Sequence, residues 1–160
     1  YVIKRVKTRR MDTRKPSLKG RKYKKYHDDN NKELSNGNLY DLIKSKHMQR
    51  VVRETEYFLV CWNLFQYDLW DGCEVEKHYL VIPKRFVDSV AKFTPEESEE
   101  YFKILAYYET KGFSFYARDP KNKQKTVKHQ HTHLLKMDFS KKVNWVINWC
   151  GKFMWWGLKK

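Results

Sequence analysis

Acidic residues are almost missing from the first 26 positions of this 160-residue chain, where Asp12 stands alone against twelve Lys or Arg. That stretch carries a net +11 of the formal +15, and the remaining residues, 22 basic against 18 acidic, carry +4. A mildly basic body thus bears an intensely basic arm. Blocks of like charge are commonly solvated, yet a basic arm is also a device for binding polyanions, so nucleic acid is the first partner to consider for residues 1–26. Cysteine is scarce too: Cys61, Cys73 and Cys150 include no Cys-x-x-Cys pair. That is poor material for a disulfide framework or a cysteine zinc site, which makes a reducing, cytoplasmic compartment the default. No run of about 20 apolar residues occurs, nor a secretory apolar core, which argues against a membrane helix or a signal peptide. No internal repeat is present, and the length suits one domain with extensions.

What the chain does have is three histidines on alternate residues, in Val127-Lys128-His129-Gln130-His131-Thr132-His133. Successive side chains of a strand point to opposite faces, so a strand over residues 126–136 would line one face with His129, His131 and His133. Histidine titrates nearest neutrality, and three on one face offer a nucleophile, a proton carrier and a hydrogen-bond donor, all of which a phosphorus centre could use. Two other readings of the same residues are imidazoles on a solvated edge strand and a zinc site.

A second segment bears on that choice. His78-Tyr-Leu-Val-Ile-Pro-Lys84 reads as a strand running into a turn. After it come Thr94 as N-cap, Pro95 at the first helical position and Glu97 completing a capping box, which predict a helix over 95–111 closed by Gly112. These pieces in this order resemble the histidine triad (HIT) family of nucleotide hydrolases and transferases, across roughly residues 39–136. The resemblance implies an α+β fold, a mainly antiparallel sheet with a packed helix.

It also implies roles. His131, the middle histidine, would attack the α-phosphorus of a nucleotide derivative, giving a nucleotidyl-histidine that water cleaves, with no cofactor and no required metal. His129 and His78 would support and orient the site, and His133 would donate to a non-bridging phosphate oxygen. Thr126 matches a Ser or Thr position that touches phosphate or leaving group. Several positions depart from the family pattern. Lys125 stands where Gln is usual, Gln124 where Gly is usual, and Arg118 where Asn is typical. Two added cations suit a more anionic substrate, such as a dinucleoside polyphosphate or a capped or adenylated nucleic-acid end, unless they simply face solvent. An Asp that grips the ribose is replaced by Trp70, so Asp71 or Asp68 would serve instead, while Trp70 could stack on a base. Gln130 and Thr132 replace hydrophobic residues, which predicts a less buried outer face for the histidine strand.

The organisation expected is a basic arm and linker over 1–38, a HIT-like domain over 39–137, and an aromatic extension over 138–160. Within the domain, Asn38 begins a short capped helix, residues 50–53 and 56–63 form a hairpin, and residues 113–118 pair with the histidine strand. Four of the six tryptophans lie between Val143 and Leu158, a tail expected to pack on its own domain or a dimer mate rather than lie at a membrane surface. The expected function is a phosphoramidase-like hydrolase of nucleoside phosphoramidates or phosphoanhydrides, in a family whose members often form homodimers. The rival from another class is a basic RNA-binding or ribonucleoprotein-associated module that keeps the HIT scaffold for binding.

Overall fold

A computed structural model describes residues 37–123, 125–142, 144–147 and 153–156, with side chains through Ser140. The arm over 1–26, Gln124 and the packing of the tryptophan-rich tail lie outside the described residues. Helix α1 spans Leu39–Lys46 and α2 spans Pro95–Glu109. Strands β1 (Val51–Glu54), β2 (Phe58–Trp62), β3 (Leu69–Trp70), β4 (Cys73–Pro83), β5 (Phe113–Ala117) and β6 (Thr132–Lys142) form one sheet. Its order is β1-β2-β4-β6-β5, with β3 also paired to β4, and every pairing is antiparallel. Two short strands, β7 (Asn144–Ile147) and β8 (Phe153–Trp156), form a separate hairpin. The α+β architecture expected from the sequence is therefore the one the chain adopts.

Period-two alternation sorts the sheet residues between two layers. Phe58 and Val60 of β2, Tyr79 and Val81 of β4, Phe113 of β5 and Leu134 of β6 pack with Tyr101, Ile104, Leu105 and Tyr108 of α2. Their neighbours in sequence, Leu59 and Cys61 of β2 with Leu80 and Ile82 of β4, meet Leu39 and Ile43 of α1 on the opposite face. Helix α2 starts where the sequence predicts. The Glu97 amide donates to Thr94 Oγ1 at 3.2 Å, and the Thr94 amide donates to Glu97 Oε2 at 2.8 Å, which satisfies two N-terminal donors reciprocally. The Arg85 guanidinium also grips the buried Glu97 carboxylate, at 3.0 and 2.7 Å, fixing the turn after β4 to the start of α2. That charge-assisted pair holds the Glu97 carboxyl below its ordinary range.

Two expectations are corrected here. The histidine strand begins at Thr132, not at residue 126, and runs on to Lys142, so His129 and His131 precede it. The sheet runs out of partners at that point. Thr132 is the last residue of β6 paired to β4, through Val81, and to β5, through Ala117. Two residues beyond Val81, Pro83 has no N–H to extend a ladder, and the Gln130 amide donates instead to the Val87 carbonyl at 2.6 Å. The outer face is also not loosened by its polar residues. Gln130 is 2% exposed and Thr132 1%, because each is satisfied internally. The Thr132 hydroxyl pairs with the Tyr101 hydroxyl at 2.8 Å, and Gln130 Oε1 accepts from the Lys125 ammonium at 2.9 Å.

Candidate active site

His78 and His133 come together because β4 and β6 are antiparallel neighbours. His78 lies opposite Leu135 and His133 opposite Leu80, so the two histidines are diagonal neighbours on the face shared with Leu80 and Ile82. Their rings touch edge to edge, with His78 Nε2 2.8 Å from His133 Nδ1. The segment between β2 and β3 folds over this pair. The Tyr67 amide lies 3.1 Å from His78 Nδ1, and the Tyr67 ring lies over His133 with centroids 5.5 Å apart. Sequence reasoning missed Tyr67, along with Asn63 and Tyr116 beside the same rings. No motif could mark Tyr67, since part of its contribution is a backbone amide.

The two histidines ahead of the strand are fixed differently, by backbone groups. His129 is fully buried: its Nδ1 accepts the Leu39 amide at 2.9 Å, and its Nε2 donates to the Arg85 carbonyl at 3.1 Å. Leu39 opens α1 behind the N-cap Asn38, so one orphan amide of the helix start finds its acceptor in the imidazole. With both ring nitrogens taken, His129 props the segment and cannot ligate a metal. Among the described residues no group of three His, Cys, Asp or Glu is placed to hold an ion, and the zinc alternative has no constellation to use. His131 is half-buried, and its Nδ1 lies 2.8 Å from the His129 carbonyl. A carbonyl only accepts, so Nδ1 carries the proton and Nε2 keeps the lone pair.

Burial keeps all four rings neutral. It pushes His78 down to about 3 and His129 and His131 each down to about 4, and holds His133 well below the ordinary imidazole range. Cations add to this: Lys125 acts against the protonated forms of His129 and His131, and Arg118 against those of His131 and His133. Both basic residues singled out in the sequence therefore lie within electrostatic reach of the histidines. Lys125 is half-buried, its ammonium donating to the Asp88 carbonyl at 2.7 Å and to Gln130, and burial lowers its own pKa. Arg118 lies 3.5 Å from the Tyr67 hydroxyl and over the Tyr116 ring.

Trp70 reaches the same neighbourhood through two rings. It is stacked on Tyr67, with centroids 5.6 Å apart, and tilted against Tyr116 at 5.3 Å, while Tyr116 in turn approaches His133. Asp71 is exposed and has a structural part to play. With φ of 49° at Asp71 and 75° at Gly72, the pair makes the tight turn between β3 and β4, where the Asp-Gly sequence suits two left-handed residues. Thr126 is exposed in the irregular segment before His129.

No protein-family model matches the sequence, and no curated protein matches it. Solved structures do. A structure described as "Hit Like Protein" is 23% identical, with a TM-score of 0.48, over 62% of this chain and 97% of its own. A HIT family hydrolase from Clostridium thermocellum is 19% identical, with a TM-score of 0.47, over 61% of this chain and 87% of its own. A histidine triad protein from Clostridium difficile is 21% identical, with a TM-score of 0.42, over 62% and 88%. The chain is similar to these HIT proteins.

Proposed function

We propose that the chain is a HIT-type nucleotide hydrolase or nucleotidyl transferase, acting at the α-phosphorus through a nucleotidyl-histidine intermediate on His131. The observation that carries this reading is the state of His131 itself. Its Nδ1–H is tied to the His129 carbonyl, its Nε2 lone pair is uncommitted to that bond, and burial keeps the ring neutral at pH 7. In the first step Nε2 bonds to the α-phosphorus while the bond to the leaving group breaks, the electron pair departing with a phosphate, or with an amine that takes up a proton from solvent as it leaves. In the second, water attacks the same phosphorus and gives its proton to solvent while the P–Nε2 electrons return to the ring. Positive charge on the ring between the steps strengthens the Nδ1–H bond to the carbonyl.

The remaining roles follow the family pattern. His129 fixes the backbone whose carbonyl orients His131; His133 donates to a non-bridging oxygen; Thr126 touches phosphate or leaving group. Arg118 and Lys125 add positive field where charge develops, which favours polyphosphate substrates. Trp70 is the candidate for stacking on a base, and Asp71 for the ribose. Among the described residues no helix is long and apolar enough to cross a membrane.

The test is turnover of nucleoside phosphoramidates, dinucleoside polyphosphates and capped or adenylated ends by the full chain. Hydrolysis that disappears in His131→Ala is expected. A wild-type protein inert across that panel would favour the nucleic-acid-binding module, whose basis is the charge of residues 1–26.

A further inference from the structure

The proton positions on His78 and His133 can be read from one backbone amide. The Tyr67 N–H can only donate, so His78 Nδ1, at 3.1 Å, must hold a lone pair. Burial keeps His78 neutral, and a neutral imidazole carries one N–H, which is then at Nε2. That nitrogen lies 2.8 Å from His133 Nδ1, so the contact is a donation from His78 to His133. His133, also held neutral, therefore carries its own proton on Nε2. Asn63 Nδ2 donates to the Phe65 carbonyl at 3.0 Å and lies 3.3 and 3.1 Å from His78 Nδ1 and Nε2; with Nε2 protonated, Nδ1 is the one ring nitrogen that can accept from it, beside the Tyr67 amide.

We propose that Tyr67 is a positioning residue for the histidine centre, its backbone N–H fixing His133, through His78, as an Nε2–H donor beside the bare Nε2 of His131. The Tyr67 ring adds a second constraint, lying nearly parallel to His133 at 21° and so limiting rotation of that imidazole. Its hydroxyl, 3.5 Å from Arg118, places a cation at the same spot. The His131 and His133 rings stand with centroids 5.2 Å apart at 71°. Opposite tautomers on the two rings put a lone pair for phosphorus next to an N–H for a phosphate oxygen. The other tautomer of His133 would turn a second lone pair toward that anion. The catalytic consequence rests on His131 being the nucleophile; the tautomer assignment does not.

Nitrogen-15 histidine spectra of the full chain near neutral pH test this directly. His78 and His133 should each be protonated at Nε2 and bare at Nδ1, and a His133 protonated at Nδ1 overturns the proposal. His78→Gln, which keeps an N–H donor near the Nε2 position, should preserve the His133 state, whereas His78→Leu should leave a mixture. Tyr67→Ala, which keeps the amide, should preserve it, and Tyr67→Pro, which lacks the N–H, should not. A folded Tyr67→Pro protein whose His133 stays wholly Nε2-protonated also sinks the idea. Should the Leu and Pro variants fail to fold, the wild-type and His78→Gln spectra decide alone. In turnover, Tyr67→Pro should lower kcat about tenfold with little change in KM, the effect of one lost hydrogen bond. Absence of any turnover would count against the proposed function while leaving the spectral test intact.

Discussion

On the α2 side of the sheet, Phe58, Val60, Tyr79, Val81 and Leu134 meet Tyr101, Ile104, Leu105 and Tyr108 in a closed apolar layer, whose Thr132 hydroxyl is answered by Tyr101. On the other side the same strands present His78 and His133, and α1 covers the sheet only around Leu59, Cys61, Leu80 and Ile82. Loops close the rest: the Tyr67 segment over one histidine pair, and the start of α1 with the Arg85 turn around His129. Strand alternation thus lets one set of residues hold the fold while the set between them carries His78 and His133, and backbone groups of the Arg85 turn, the start of α1 and His129 itself fix His129 and His131 ahead of the strand. Substitutions on the two faces should fail in different ways.

The largest effect is expected at His131. His131→Ala should lower turnover by about 10³-fold or more, as loss of a covalent nucleophile does, with thermal stability nearly unchanged because the side chain is half-buried. Phe58→Ala, on the opposite face, should reverse that pattern. Removing a ring in contact with Phe93 and Tyr101 should cost about 3–5 kcal/mol in denaturant unfolding, with the folded fraction retaining the wild-type kcat. A mutant of either face that lost activity and stability together would blur the division.

Acid should act on the histidine face first. Folded His78 and His129 take up protons only near pH 3 and 4, whereas in the unfolded chain they do so near 6.5. Between those values the unfolded state binds more protons, so stability is full above about pH 6.5 and falls as pH drops through the window. The slope should approach about 1.4 kcal/mol per pH unit for each such histidine, measured by denaturant titration from pH 7 to 4. A flat profile would show that these rings are not held neutral. The smallest effect is expected at Lys125, whose charge disfavours the His131 imidazolium. Lys125→Gln should move the acid limb of kcat to higher pH, and reduce the preference for polyphosphates over phosphoramidates by a few fold. Unchanged preference and pH profile would place Lys125 outside the site's influence.

The fold was more legible in the sequence than the site was. The Thr94–Glu97 box and the apolar run before Pro83 are local signals, and each produced the expected element. The histidines were legible as residue types, but their arrangement was not. Whether His129 and His131 sit in a strand depends on where the neighbouring ladders stop, which is decided at Pro83, Ala117 and the Val87 carbonyl. The burial of Gln130 and Thr132 could not be read either, because it depends on partners, Lys125 and Tyr101, brought in by tertiary packing. Tyr67 was invisible because a backbone amide has no sequence signature.

The central claim is that His131 Nε2 takes the nucleotide. Mixing the full chain with a labelled nucleotidyl substrate, quenching within the first turnover and mapping the adduct by mass spectrometry under conditions that spare phosphorus–nitrogen bonds tests it most directly. The expected result is one nucleotide mass on the peptide carrying His131, absent in His131→Ala and retained in His78→Gln. An adduct on His129, His133 or His78, or efficient turnover by His131→Ala, would contradict it.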